Sequence, residues 1–268
     1  MNSAVTETSA GSAAKNGQSD HGSKLDLWFA WGVIIPFYNV FTISFFVLSR
    51  TQPPPKAWWP LEHIVQWFNH NHSGILIGFA MIFLVGAFSL TATALIAYSM
   101  RRMSISPVFA YSYLIIYGLA GVPGMLLTCI ALVVGAMRPD RDPKLIGWLY
   151  DMGFLSFSGT MGIFLIGSLI WGVAILLDKN RVLPKWFGYL NFCNGLTEVV
   201  VSTCCMFKSG PFAWDGVIAF YINMVVFGIY TGAFITLLKN MIVREDFGTG
   251  VMPDLPKPQR PSRALQLG

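Results

Sequence analysis

The sequence predicts an all-α membrane protein, a polytopic bundle of six transmembrane helices with one short interfacial amphipathic helix. Its 268 residues are 54% hydrophobic and only 12% charged, whereas soluble domains carry about 25% charged residues. Long apolar runs also recur along the whole chain. A chain with so few charges is unable to cover its surface with polar groups, so its natural solvent is a lipid bilayer.

The net charge of +5 comes from Lys and Arg residues that stand singly between apolar runs. Proteins that bind nucleic acid instead gather such residues into a basic patch, often with aromatic side chains between them. The composition therefore excludes a nucleic-acid partner and favours membrane lipids.

The two ends of the chain differ from the rest. Residues 1–24 are mostly Ser, Ala, Gly, Asn and Thr, which predicts a disordered N-terminal tail. Residues 245–268 carry four prolines among polar residues, which predicts a flexible Pro-rich C-terminal tail. The six-helix transmembrane domain is therefore predicted over residues 25–244.

Six apolar segments between the tails are long enough to cross a membrane. A helix rises 1.5 Å per residue, so about 20 apolar residues cross a hydrocarbon core of ~30 Å. Pro123 is expected to kink the third segment. The predicted spans, numbered 1 to 6 in chain order, cover roughly residues 26–49, 73–99, 107–137, 154–177, 186–207 and 216–242.

The loop between spans 1 and 2 contains a further helical pattern. From residue 60 to residue 70, apolar side chains recur at the spacing of one helical face and polar side chains occupy the other. Trp58, Trp59 and Trp67 are typical anchors at a membrane surface. This stretch therefore predicts the short amphipathic helix, lying in the outer interface.

An even number of spans places both termini on the same side of the membrane. Twelve of the 18 Lys and Arg residues would lie on that side and six on the other. Because Lys and Arg are enriched in cytoplasmic loops, both termini are predicted to be cytoplasmic. The expected location is the cytoplasmic (inner) membrane.

Span 5 carries the carboxyl group of Glu198 at its centre. Glu198 belongs to a set of polar residues spaced three or four positions apart, which places them in one stripe on one face of a helix. An ionised carboxylate at mid-membrane costs roughly 2.5–3.5 kcal/mol, so this stripe is expected to face protein or water rather than lipid. No Lys or Arg lies at a matching depth, which favours a protonated or hydrogen-bonded group over an ion pair. The stripe consists of Asn191, Asn194, Glu198, Ser202 and Cys205.

Glu198 has two interpretations. It holds helices together as a neutral hydrogen-bonding group, or it exchanges a proton or orients a ligand in an internal cavity. Under the second interpretation, the predicted ligand site combines polar residues of span 5 with tyrosines of other spans. Its members are Glu198, Asn194, Asn191, Ser202, Tyr221, Tyr230 and Tyr117.

Polar residues also gather at the outer ends of the spans. Asp151 precedes the predicted span 4 by about one turn, and Asp215 is expected to cap span 6. His70 and His72 directly precede the predicted span 2, and with Asp215 they form a predicted outer vestibule. Their spacing matches no familiar metal site, so neither a metal nor a cofactor is predicted.

Small residues four apart mark where helices approach closely. Such pairs occur in span 4, at Ser158 and Gly162 and again at Ser168 and Gly172, and in span 6 between residues 228 and 232. They indicate either packing inside the bundle or a homo-oligomer interface.

Three functions follow as hypotheses. The first is a protein that binds or translocates a small, largely apolar molecule, whose one polar group Glu198 and Asn194 orient in an internal pocket. The second is a membrane-embedded isomerase or cyclase acting on an isoprenoid or sterol-like lipid. In that enzyme Glu198 donates a proton, and Asp151 or a tyrosine accepts one. The third is a non-catalytic subunit of a membrane complex.

Four segments from span 2 onward form a recognisable order: SGILIGFAMIF, MRPDRDPKLIGWLYDMGFL, VLPKWFGYLNF and FKSGPFAWDGVIAFY. This order resembles a family of bacterial six-span membrane proteins that are mostly uncharacterised. The resemblance covers about two-thirds of the chain. It implies a single six-helix domain, with Asp151 and Asp215 in a recurrent pattern, and no particular reaction.

Overall fold

The computed structural model describes residues 24–120, 122–138 and 140–245. Apart from Lys24 and Glu245, the two predicted tails lie outside these residues. All regular secondary structure in the described ranges is helical, so the predicted all-α fold is confirmed.

Six long helical segments form the bundle, in the predicted order. Five of them are long and apolar enough to cross a membrane, which makes the chain a multi-pass helical membrane protein by length and composition. Span 5 is not among the five, because polar residues such as Asn191, Asn194 and Glu198 lower its mean hydropathy. The segments are Lys24–Leu48, Leu61–Arg101, Val108–Ala136, Pro143–Leu177, Lys185–Ser202 and Val217–Arg244.

Five spans change helical pitch along their length. In span 3 the change is a π-helical turn that contains Pro123, where the sequence predicts a kink. In span 4 it is a 3₁₀ turn, Met161–Ile163, and Ser202 of span 5 accepts a hydrogen bond from the Gly162 N–H there, at 2.6 Å. Irregular backbone at this depth is tolerated because neighbouring helices satisfy the freed groups.

The bounds of the pieces are as follows. Span 1 comprises Lys24–Gly32, Ile34–Thr42 and the π-helical Ile43–Leu48; span 2 comprises Leu61–Val85 and Phe88–Arg101; span 3 comprises Val108–Ala120, the π-helical Val122–Leu126 and Leu127–Ala136. Span 4 comprises Pro143–Gly159, Met161–Ile163 and Phe164–Leu177; span 5 continues from Lys185–Ser202 into the 3₁₀ turn Thr203–Met206; span 6 comprises the π-helical Val217–Ile222 and Asn223–Arg244.

The amphipathic stretch at 60–70 is helical, as its pattern predicts, but it is not a separate element. It forms the first turns of Leu61–Val85 and continues into span 2 without a break. His70 and His72 therefore lie inside that helix rather than before it. The polar residues of the stretch do not end the helix, because an amphipathic pattern fixes which side faces the protein and contains no stop signal.

Span 4 begins eleven residues earlier than predicted, at Pro143. Asp142 caps it, because the Asp142 carboxylate accepts a hydrogen bond from the Lys144 N–H at 2.8 Å. Proline at the first helical position suits this start. Asp151 consequently lies within the helix, two turns from its beginning.

The hydrophobic core has two parts, one in each half of the bundle. The near end is the end that holds Lys24 and Glu245, and its cluster includes Leu95, Trp171 and Phe187. The cluster of the opposite, far end includes Phe79, Leu132 and Cys204. Because Phe187 and Cys204 bracket the polar stripe of span 5, the stripe lies between the two apolar halves.

Asp178 holds the loops of the near end together. Its buried carboxylate accepts hydrogen bonds from the N–H and hydroxyl of Ser104, at 2.9 and 3.2 Å, and from the N–H groups of Asn180 and Val182, at 2.9 and 2.8 Å. Lys185 adds three bonds to carbonyl groups at the end of span 4, between 2.6 and 2.8 Å. These contacts fix where span 5 begins relative to span 4.

Candidate functional site

The polar stripe of span 5 faces the interior of the bundle. Asn191, Asn194 and Glu198 are 0%, 3% and 4% exposed, whereas Leu196 on the opposite side of the helix is 64% exposed. The predicted orientation is confirmed for these three residues. It fails at the end of the stripe, where Cys205 is exposed because the helix has changed to a 3₁₀ turn there.

Close packing of span 5 against span 4 sets the position of the stripe. A Cβ atom on Gly195 would lie 3.0 Å from the Cβ of Ser168, and one on Gly188 would lie 3.1 Å from the carbonyl oxygen of Gly172. The small residues of span 4 therefore serve packing inside the bundle. In span 6 a Cβ atom added to residue 228 or residue 232 would have no neighbouring atom within 4 Å, so those two glycines face outward.

Asn191 has all of its hydrogen bonds inside the protein. Its amide nitrogen donates to the Phe187 carbonyl at 2.8 Å, and its amide oxygen accepts from the Tyr230 hydroxyl at 3.3 Å. Asn191 thereby connects span 5 to span 6. This satisfied side chain has a structural role in the site, and its neighbours carry the free binding capacity.

Glu198 and Asn194 each have a buried oxygen without a partner. Oε2 of Glu198 and Oδ1 of Asn194 make no hydrogen bond within the described residues. The two residues are four apart, so they lie one above the other on the same helix face. An unsatisfied buried acceptor costs about 1–3 kcal/mol. A proton on the Glu198 carboxyl group, or a donor from outside the chain, would relieve that cost.

Asn223 of span 6 stands beside this pair. Its side chain lies close enough to the Glu198 carboxyl group to interact with it, and its amide oxygen accepts from the Thr197 hydroxyl at 3.3 Å. Asn223 is only 5% exposed. It was not among the predicted site residues, although an amide within an apolar span is a sequence signal that could have identified it.

Five rings from four spans form an aromatic cluster on the near-end side of Glu198. Tyr113 stacks on Tyr117 with ring centroids 4.3 Å apart, and Phe187 stacks on Tyr230 at 5.7 Å. Trp171 joins the two pairs, at 5.8 Å from Tyr113 and 5.0 Å from Phe187. The Trp171 indole N–H has no partner within the described residues. Tyr113, Trp171 and Phe187 were not predicted, because aromatic residues are too common in apolar spans to mark a site.

Two tyrosines of this cluster, Tyr117 and Tyr230, lie within electrostatic range of the Glu198 carboxyl group. The Tyr117 hydroxyl also lies 3.3 Å from the hydroxyl of Ser168. The tertiary structure thus brings together five of the predicted ligand-site residues, namely Asn191, Asn194, Glu198, Tyr117 and Tyr230.

The other two predicted ligand-site residues lie apart. Tyr221 is 51% exposed, and its ring packs on the neighbouring Phe220 ring at 5.0 Å. Ser202 is half-buried, and its hydroxyl is occupied by Gly162 and by the Glu198 carbonyl. Neither side chain adds free hydrogen-bonding capacity to the site.

Asp151 is separated from Glu198. Spans 4 and 5 are antiparallel, and Gly162 of span 4 contacts Ser202 of span 5. Glu198 lies four residues before Ser202, so it is level with a position about four residues after Gly162, near residue 166. Asp151 is then about 15 residues closer to the far end, a distance on the order of 20 Å along the helix axis. At the far end, Asp151 interacts electrostatically with Lys208.

The outer vestibule residues do not form one group. Asp215 binds the Lys56 ammonium at 3.2 Å and accepts from the Ala57 N–H at 3.3 Å, so it ties down the loop between spans 1 and 2. The expected capping role is wrong, because Gly216 precedes span 6 and no side chain bonds to the first turn. His72 Nδ1 lies 2.6 Å from the Ala136 carbonyl, whereas His70 is exposed.

No family model, curated protein or solved structure matches the chain. Among the described residues, no three His, Cys, Asp or Glu side chains are placed to hold a metal ion. The function is therefore argued from the geometry around Glu198.

Proposed function

We propose that the protein binds or translocates a small, largely apolar molecule at an interior site beside Glu198. One observation carries the proposal: two buried oxygens, on Glu198 and Asn194 one helical turn apart, have no partner in the described protein. A ligand with one polar group would satisfy both. Polar groups this costly to bury are retained in membrane proteins mainly where they have a function.

The surroundings of the two oxygens suit such a ligand. Ligand sites are typically apolar and aromatic with a few polar groups that orient the ligand. Here the aromatic cluster supplies the apolar surface, and Glu198, Asn194 and Asn223 supply the polar groups. Spans 3 and 4 change pitch at intermediate depth, a feature that transporters use around their substrate sites.

The enzyme alternative is retained in one form. Tyr117 and Tyr230 are the remaining candidates for the proton acceptor in an acid–base isomerase or cyclase, and either one would have to act as a tyrosinate. Asp151 is about 20 Å away along the axis by the helix rise, so it is no longer a candidate for that role.

The membrane location and the orientation of the termini are part of the same proposal. The chain would lie in a cytoplasmic membrane with both termini in the cytoplasm, as the distribution of Lys and Arg favours. The resemblance to bacterial six-span membrane proteins agrees with that location. The outward-facing Gly228 and Gly232 leave room for a second copy or a partner subunit against span 6.

The test is to purify the protein in native lipid and identify co-purified small molecules by mass spectrometry. The wild-type protein should retain a molecule that Glu198→Gln does not. Glu62→Gln is the matched control, because it makes the same change on an exposed side chain at the far end of span 2. Equal retention by wild type and Glu198→Gln would refute the proposal. Release of a chemically altered product would favour the enzyme form.

A further inference from the structure

We infer that the molecule bound beside Glu198 is an organic cation, an amphipathic amine in its ammonium form. This inference rests on the proposed function and names its ligand class. Three features of the site support it: an acid without a cationic partner, acceptors without donors, and the aromatic cluster next to both.

The first feature is the charge. In the described residues, every Lys and Arg lies in a loop or within two turns of the end of a span. The basic residues nearest the membrane interior already have partners: Lys185 binds carbonyl groups of span 4, and Lys239 lies over the Trp31 ring at 5.9 Å. A buried carboxylate is stabilised by a nearby positive charge. Here only a ligand would bring that charge to Glu198.

The second feature is the direction of the missing hydrogen bonds. Glu198 Oε2 and Asn194 Oδ1 lack partners in the described residues, and the two residues are one helical turn apart. An amine that takes the proton of Glu198 becomes an ammonium ion and leaves a carboxylate, so both oxygens then act as acceptors. A primary ammonium group has three N–H donors, so it satisfies both oxygens and has one donor left. An alcohol has a single O–H and satisfies only one. Hydrogen bonds between an ionised donor and an ionised acceptor are also about twice as strong as neutral ones.

The third feature is the aromatic cluster. An ammonium group is attracted to the faces of Tyr and Trp rings within about 6 Å, and the attraction is larger where water is excluded. Trp171 and Tyr113 are 0% and 1% exposed, and Tyr230 is 6% exposed. These rings pack on one another, Tyr113 on Tyr117 and Phe187 on Tyr230, inside the near-end core. The hydrocarbon part of the ligand would therefore enter by separating these rings, whereas an inorganic cation would contact only the oxygens.

The test compares two probes that differ in charge and in donor number. Binding of 2-phenylethylamine and of 2-phenylethanol to the detergent-solubilised full-length protein is measured at pH 7 by equilibrium dialysis. In the wild-type protein the amine should bind at least about tenfold more tightly, which corresponds to 1.4 kcal/mol. Glu198→Gln should remove this preference, and Glu62→Gln should leave it unchanged.

The outcomes separate the inference from the proposed function. Equal affinity of the wild-type protein for both probes would overturn the organic-cation inference and leave the apolar ligand site in place. Binding of neither probe would overturn the inference, and with no ligand retained in native lipid it would overturn the proposed function too. Because the comparison of probes uses the wild-type protein, it holds even if Glu198→Gln fails to fold.

Discussion

Replacing Gly172 by Ala tests whether the crossing of spans 4 and 5 positions the site. A Cβ atom at residue 172 would lie 3.0 Å from the Gly188 carbonyl oxygen and 2.6 Å from Cε1 of the Phe192 ring. Ordinary contacts begin at 3.4 Å, so the backbone of span 5 has to move by about 0.4 Å and the ring by about 0.8 Å. Forcing a methyl group into a packed interface typically costs 1–3 kcal/mol.

We therefore expect Gly172→Ala to destabilise the protein by about 2 kcal/mol. For a domain of 150–250 residues this lowers Tm by about 4–8 °C. Thermal unfolding in detergent, followed by near-UV circular dichroism, measures the shift. Gly232→Ala is the matched control, because the Cβ position at residue 232 has no atom within 4 Å.

We expect the Tm of Gly232→Ala to equal that of wild type or to rise by up to about 4 °C, since Ala is roughly 0.5–1 kcal/mol more favourable than Gly inside a helix. The reasoning would be refuted if both variants had the same Tm, because the two substitutions differ only in the packing around them. A large loss in Gly232→Ala alone would instead place a helix against the outward face of span 6.

Three further predictions concern other parts of the bundle. Gly74→Ala should destabilise the protein by at least about 3 kcal/mol in the same assay, because the added Cβ atom would overlap the backbone carbonyl of Leu48. An unchanged Tm would contradict the close approach of spans 1 and 2. Asp178→Ala should lower the free energy of unfolding by about 3 kcal/mol or more, since it leaves three backbone N–H groups without an acceptor. Asp178→Asn keeps an acceptor oxygen and should lower it less. In a cysteine-free protein, a cysteine at Ser209 should react with a membrane-impermeant maleimide on intact cells, and one at Asn180 only after permeabilisation; the reverse pattern would invert the proposed topology.

Several elements of the fold were predictable from local chemistry. Five of the six spans, in their order, follow from apolar run length, because a bilayer admits only segments that satisfy their own backbone. The inward orientation of Asn191, Asn194 and Glu198 follows from their spacing and from the cost of placing a carboxyl group in lipid. The break at Pro123 follows from the missing N–H of proline.

Other features depended on partners distant in sequence. The predicted short amphipathic helix at 60–70 and span 2 form one helical segment. Span 4 starts at Pro143 rather than near residue 154. The length of an apolar run determines how much of a helix lipid can surround. The ends of the helix are determined instead by capping residues and by contacts with other segments of the chain. Asp215 likewise has a local signal for a cap, but Lys56 and the Ala57 N–H, far away in the chain, compete successfully for its carboxylate.

The sequence by itself determined that this chain dissolves in a bilayer, crosses it repeatedly and turns one acid inward, because those properties depend on composition and on residues a few positions apart. Only the tertiary structure decided what that acid meets. Tyr117, Tyr230 and Asn223 come from two other spans and lie within electrostatic range of Glu198, while glycine and serine set how closely span 4 packs on span 5. Spacing along one helix fixes a direction, while the contents of a site depend on which helices pack there and in what register.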